Sequence, residues 1–161
     1  MRERAESNSR KPYQHGIAAI EAVLVIPVLL ALLAGITFFG RYTWHYTAAQ
    51  KAAHDAARYL ATVSQREMKT PGLGGTVAPV LQIAQNIAAL ETAELHPGPY
   101  PPYILVLCQP VQCTGFSVPS RVRVMIQMEL TDDIFTPISQ LFLGDAQLPL
   151  SVDVTLPYVG S

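Results

Sequence analysis

Side chains that could carry acid–base or metal chemistry are few and scattered in this sequence. The histidines are His15, His45, His54 and His96. His45 and His54 do not have the i, i+4 spacing that places two imidazoles on one helix face for zinc, so each histidine is predicted to be solvated at the surface. Asp132 and Asp133 are adjacent, which is typical of a turn, and Gly72–Gly75 lacks the preceding strand of a dinucleotide-binding fingerprint. We therefore expect no enzymatic activity, metal site, cofactor or small-molecule substrate.

The two cysteines are close together in the sequence. Cys108 and Cys113 enclose only four residues, a separation that a turn can close. Two free thiols are one alternative, and a zinc site would need further ligands that are not arranged nearby. The favoured interpretation is a disulfide formed in an oxidising compartment.

A single carboxylate, Glu21, stands at the start of a long apolar run. The 19 residues from Ala22 to Gly40 carry no charge, and a helix of that length, at ~1.5 Å per residue, matches a hydrocarbon core ~30 Å thick. A cleaved secretory signal would have a shorter apolar core, of roughly 7 to 15 residues, and a small-x-small site, which Leu32 interrupts before Ala34. A plain signal anchor would explain the run but not Glu21, because a charge is costly beside hydrocarbon.

Composition and flanking charges limit the class of protein. A chain of 161 residues has room for one membrane segment and one modest folded domain. The 11 basic and 12 acidic residues nearly balance, so nothing indicates a nucleic-acid partner. More basic residues precede the apolar run than closely follow it, which favours a cytoplasmic N-terminus and an outward-facing remainder.

Helical periodicity continues beyond the apolar run. Apolar side chains recur there at intervals of three and four residues. They are Tyr42, Tyr46, Ala49, Ala53, Ala56, Leu60 and Val63. Arg41, His45 and Lys51 are assigned to the opposite, polar side. One helix is thus predicted from about Ile17 to Ser64, and its amphipathic outer half needs a surface to cover the apolar stripe.

The rest of the sequence predicts a small α+β domain. Alternation of period two predicts two long strands, Arg121–Leu130 and Leu148–Leu156, and Tyr103–Cys108 is a shorter apolar strand. A second helix is predicted from a cap at Thr76, through Pro79 in its first turn, to about Glu94. A further short helix is expected between Thr136 and Gly144. The predicted fold packs the long helix on a small antiparallel sheet, because each strand has one apolar face.

The start of the apolar run resembles the N-terminal signature of TadE-like proteins, the pilin-like minor components of the tight adherence (Flp-type) pilus system. The resemblance rests on Gly16-Ile17-Ala18-Ala19-Ile20-Glu21 and the apolar run behind it, and it extends over about residues 15–61. In related prepilins a membrane aspartyl peptidase cuts after the glycine. The resemblance therefore implies cleavage between Gly16 and Ile17, and it makes the freed amine of Ile17, on this or a neighbouring subunit, the partner of Glu21. Ala22 stands where major pilins of this class have an aromatic residue, which favours a minor pilin.

The patterns and the resemblance together predict an organisation and a set of partners. Residues 1–16 form a cytoplasmic leader, 17–40 a transmembrane helix, 41–64 its amphipathic continuation, and 65–161 a periplasmic α+β domain of pilin-like fold. The implied partners are other pilin-like subunits, the inner-membrane assembly platform and the prepilin peptidase, with the chain crossing the bacterial inner membrane once. A function of another class also remains open: a membrane-anchored periplasmic binding module that never enters a filament.

Overall fold

The computed structural model describes residues 14–73, 78–110, 113–131, 136, 140 and 147–161, with side chains from residue 18 onward. The chain divides into two compact units, residues 1–37 and residues 38–161. The described helices and strands are α1 (Gln14–Thr62), α2 (Gln65–Met68), α3 (Pro79–Thr92), β1 (Tyr103–Gln109), β2 (Arg121–Thr131) and β3 (Gln147–Pro157). A long apolar N-terminal helix, a short helix and an antiparallel sheet confirm the predicted α+β class.

Helix α1 is continuous over 49 residues, close to the predicted span. Pro27 lies inside it, where the missing N–H removes one backbone hydrogen bond. After α1 ends, Ser64 and Glu67 form a capping box that starts α2. The Ser64 hydroxyl accepts from the Glu67 N–H, and the Glu67 carboxylate accepts from the Ser64 N–H at 3.2 Å.

Helix α3 begins at Pro79, as expected from proline's tolerance of the first helical position. Ala78 occupies the N-cap and makes no side-chain capping bond. The predicted cap, Thr76, lies outside the described residues. The short helix expected between Thr136 and Gly144 also lies largely outside them.

The three strands form an antiparallel sheet in the order β1-β2-β3. Val106 pairs with Val124, and Val124 pairs with Val154, so alternate residues of all three strands share a face. The predicted alternation is confirmed, because the even-numbered side chains of β2 are buried while its odd-numbered ones are exposed or half-buried.

The prolines of β3 lie where a missing N–H does least harm. The Tyr158 N–H donates to the Ser120 carbonyl at 3.0 Å. In β3, the N–H and C=O groups of the even-numbered residues therefore point towards β2. Pro149 and Pro157 belong to the odd-numbered set, whose backbone groups point away from β2. Neither proline therefore removes a bond between β2 and β3.

The core of residues 38–161 lies between the even-numbered face of the sheet and the two longer helices. Helix α1 contributes mostly alanines, which allow close approach of the opposing surface, and α3 adds Val80, Leu81 and Ala84. The fully buried α1 positions are Ala49, Ala52, Ala53, Ala56, Ala57 and Leu60. From the sheet, Val122, Val124 and Ile126 are fully buried in the same cluster.

The last residues of the chain close over the C-terminal end of α1. The Val159 N–H donates to the Ala61 carbonyl at 2.9 Å, and the Tyr158 hydroxyl donates to the Val63 carbonyl at 2.7 Å. Carbonyls near a helix C-terminus have no partner within the helix. Here two of them are satisfied by residues almost a hundred positions later in the chain.

Candidate functional site

The N-terminal part of α1 contains the predicted processing and pairing residues. Gly16 and Ile17 lie within its helical backbone, and Glu21 follows Ile17 by four positions. Residues four apart in a helix lie on the same face, one turn from each other. Glu21 is exposed, and among the described residues it has no hydrogen bond or ion pair. The structure thus leaves its carboxylate open to a partner supplied from elsewhere.

Beyond Glu21 most of the helix surface is apolar and exposed, although Ala34 is buried. Ile20, Val23, Leu24 and Ile36 are each about two-thirds exposed or more, at 67%, 70%, 69% and 71%. In length and composition the described helix can cross a bilayer. One such helix close to the N-terminus suggests a single-pass membrane anchor.

The polar group of Thr37 is satisfied within the helix itself. Its hydroxyl donates to the Leu33 carbonyl at 2.9 Å and lies 3.0 Å from the Ala34 carbonyl. A threonine that bonds back to its own helix carries little unsatisfied polarity into an apolar environment. Thr37 therefore does not interrupt the apolar surface in the way that Glu21 does.

Aromatic residues follow directly where the apolar run ends. Phe39 and Trp44 are 64% and 67% exposed. The rings of Phe38 and Phe39 meet edge to face with centroids 6.0 Å apart. An exposed tryptophan at the end of an apolar helix is typical of the boundary between hydrocarbon and water.

Arg41 is the first charged residue after the apolar run, and it is bonded to the folded part of the chain. Its Nη2 donates to the His96 carbonyl at 2.7 Å, and its Nη1 donates to the Thr131 carbonyl at 3.2 Å. These carbonyls follow α3 and end β2, respectively. One guanidinium therefore joins three segments that are far apart in sequence.

The prediction that His45 is solvated was wrong, because its side chain is only 4% exposed. Its Nδ1 lies 2.8 Å from the Arg41 carbonyl, which makes Nδ1 the protonated nitrogen if the ring is neutral. The buried Nε2 has no hydrogen-bond partner among the described residues. The spacing could have indicated burial, since His45 precedes the buried Ala49 by one helical turn.

The cysteine pair lies at the far end of β1. Cys108 and Cys113 are joined by a disulfide, with their Cα atoms 5.2 Å apart. Cys108 is in β1 itself, and both residues pack against the core cluster. The bond closes the chain just after the strand, next to the central strand of the sheet.

The exposed face of the sheet carries an ion pair between neighbouring strands. The Arg123 guanidinium binds the Asp153 carboxylate through Nε at 2.8 Å and also through Nη2. Hydrogen bonding to Asp153, and then its charge, raise the pKa of Arg123 above its ordinary value. Since the pair is partly exposed, it orients β2 and β3 and contributes little to stability.

Comparison with known proteins identifies the N-terminal segment. A family model described as TadE-like protein matches residues 16–58. The match begins at the predicted cleavage glycine and ends within the alanine-rich, buried part of α1. Comparisons with curated proteins and with solved structures gave no match. The predicted resemblance to TadE-like proteins is therefore confirmed over about a quarter of the chain, which associates it with the tight adherence pilus system.

Proposed function

We propose that this chain is a minor pilin-like subunit that takes part in assembly of a tight adherence pilus. Residues 17–40 anchor it in the bacterial inner membrane, with residues 1–16 in the cytoplasm and residues 65–161 in the periplasm. Its role is structural rather than catalytic. Its partners are other pilin-like subunits, the assembly platform and the peptidase that removes the leader.

One observation carries this proposal: the TadE-like match coincides with an exposed apolar helix that starts with a carboxylate, and this carboxylate has no partner among the described residues. Lipid could cover the apolar surface, but its hydrocarbon offers no partner for Glu21. A free amine at Ile17 of this or a neighbouring subunit would supply one. In an assembly of such helices, Glu21 would select and position the neighbour.

The pairing role of Glu21 is tested with Glu21→Gln. The amide keeps the size of the side chain and removes the charge, so membrane insertion should be unchanged. Removing one member of a buried ion pair costs about 3–5 kcal/mol, so co-purification with other pilin-like subunits should fall sharply. Glu94→Gln, at an exposed acid in the other unit, is the matched control. Wild-type yields of partners with Glu21→Gln would refute the pairing role.

Helix-to-helix contact is tested by enlarging Gly35. Apart from the adjoining residues and backbone of its own helix, a Cβ added there meets no atom of the described residues within 4 Å, so Gly35→Leu should leave the subunit itself intact. If a neighbouring helix packs at this position, the added side chain will block it. Gly40, which is equally open, faces about 140° away on the helix, so Gly40→Leu is the control. Single cysteines at Ala31 and Gly35 should crosslink to partner subunits, and no adduct at either site would count against helix-mediated assembly.

N-terminal sequencing of the membrane-bound protein separates this function from that of an anchored binding module. A processed pilin-like subunit begins at Ile17. A module that stays in the membrane uncut retains the residues that precede Ile17. Finding only the unprocessed end in cells that contain the peptidase would overturn the proposed assembly role.

A further inference from the structure

We propose that the folded unit of residues 38–161 rests on the bilayer through a defined edge, which lies among the lipid headgroups. We call this edge the collar and define it as Phe39, Arg41, Trp44 and the turn His96–Pro97. The inference rests on the proposed membrane anchoring. It adds a second contact with lipid, made by residues that follow α3 rather than by α1 alone.

The level of the collar follows from Arg41. Headgroup layers add roughly 5–8 Å on each side of the hydrocarbon core, and Arg41 is the first charge after an uncharged run that can span that core. The Arg41 side chain holds the His96 carbonyl at 2.7 Å. The distance from the turn to the α1 position where the hydrocarbon ends is therefore no more than the length of one arginine side chain.

The turn is also held rigidly at that level. The Thr131 N–H donates to the Pro97 carbonyl at 2.6 Å, and the Thr131 carbonyl accepts from Arg41. The turn, the end of β2 and α1 are thus linked through a closed set of hydrogen bonds. Because the links involve backbone carbonyls, they constrain the position of the chain and not merely that of its side chains.

The exposed side chains of the collar suit the headgroup layer. Trp44 is 67% exposed and of the type enriched at bilayer interfaces. Phe39 is 64% exposed at the end of the apolar run, and the charge of Arg41 favours a position outside the hydrocarbon.

The test uses the full-length chain in vesicles of phosphatidylethanolamine and phosphatidylglycerol. Trp44 is the only tryptophan, so its fluorescence reports its depth directly through quenching by lipids brominated at shallow acyl positions. A nitroxide label at His96→Cys reports contact with headgroups through relaxation by nickel-chelating lipids. The native cysteines are paired in a disulfide, which leaves the new thiol as the site of labelling.

Gln65→Cys is the matched control for the label. Gln65 is exposed like His96, but it lies beyond the far end of α1, more than 30 Å along the helix from Arg41. We expect bromolipid quenching of Trp44, and relaxation by nickel lipids several-fold stronger at His96 than at Gln65. The exposed side chain of His96 makes no described bond, and its carbonyl remains available to Arg41 in the variant.

The outcomes separate the inference from the proposed function. If Trp44 is quenched while the His96 and Gln65 labels relax equally, the chain is anchored but the turn does not rest on lipid, and the inference is overturned. If the protein floats with the vesicles but Trp44 is not quenched by any bromolipid, the chain is anchored with the collar outside the bilayer, and the inference is again overturned. If the protein does not float with the vesicles, membrane anchoring itself fails, and the inference fails with it. Quenching of Trp44 together with selective relaxation at His96 supports both.

Discussion

The contact between Tyr158 and the end of α1 gives a prediction whose size can be worked out from the structure. Tyr158→Phe keeps the ring and removes only the hydroxyl that donates to the Val63 carbonyl at 2.7 Å. A neutral hydrogen bond contributes about 0.5–1.5 kcal/mol net, and an acceptor left without a partner in a buried site costs about 1–3 kcal/mol. We expect a loss of about 1–2 kcal/mol, since Val63 is buried. For a unit of this size the loss corresponds to a Tm lowered by about 3–8 °C.

The assay is thermal unfolding of the full-length protein in detergent micelles, followed by near-ultraviolet circular dichroism. Tyr100→Phe is the control, because Tyr100 is 65% exposed and its hydroxyl has no described partner. That variant should change stability by no more than about 0.5 kcal/mol. Equal Tm values for Tyr158→Phe and the native protein would show that the C-terminal residues do not stabilise α1.

The same contact predicts how stability depends on pH. Burial, and secondly the charge of Glu67, raise the pKa of both Tyr158 and Tyr59 above the ordinary 10.0. The folded protein therefore holds these phenolic protons more tightly than the unfolded chain does. Their contribution to stability is complete below about pH 10 and is lost as the pH rises through the folded pKa values. Tyr158→Phe should lose less stability across this alkaline range than the native protein; a larger loss would contradict the assignment.

Three further predictions concern the sheet. Replacing Cys108 and Cys113 with Ser should lower the free energy of unfolding by about 2 kcal/mol for so short a loop, and mass spectrometry of the native protein should find no free thiol there. Ile126→Ala should cost about 2–5 kcal/mol, because Ile126 is fully buried in the central strand; a cost under about 1 kcal/mol would mean that the core is loosely packed. Asp153→Asn should change the free energy of unfolding little, and the small difference from native should shrink further at high salt, since its pair with Arg123 is partly exposed.

The strands and their buried faces could be predicted from sequence, because a sheet that is covered on one face has apolar residues at every second position of its strands. Val122, Val124 and Ile126 point to the core, and the residues between them do not. The pairing of β2 with both β1 and β3 could not be predicted from this alternation. It depends on the path of the connecting chain, and that path is set by contacts such as the bond from Ser120 to Gln109.

The candidate functional residues could be predicted where the composition of the sequence changes abruptly. They could not be predicted where their role depends on tertiary contacts. Glu21 stands out because nothing else near it is charged. The role of Arg41 could not be predicted from sequence. Its acceptors are backbone carbonyls 55 and 90 positions away, and any residue type offers a carbonyl. His45 was misplaced because polarity was given more weight than its position one turn before Ala49.

The two halves of α1 differ in how their polar groups are satisfied, and this difference bears on the role of Glu21. From Arg41 onward, two charged side chains of α1 bind other elements: Arg41 donates to the His96 and Thr131 carbonyls, and Lys51 lies 3.3 Å from the Glu91 carboxylate. Between residues 18 and 40 the only polar side chains are Glu21 and Thr37. The Thr37 hydroxyl donates to its own helix and needs nothing further, whereas an ionised carboxylate only accepts hydrogen bonds and so cannot bond to the carbonyls of its own turn. Under the proposed function, the freed amine of Ile17, on this or a neighbouring subunit, would supply the donor that Glu21 lacks among the described residues, whereas hydrocarbon would not.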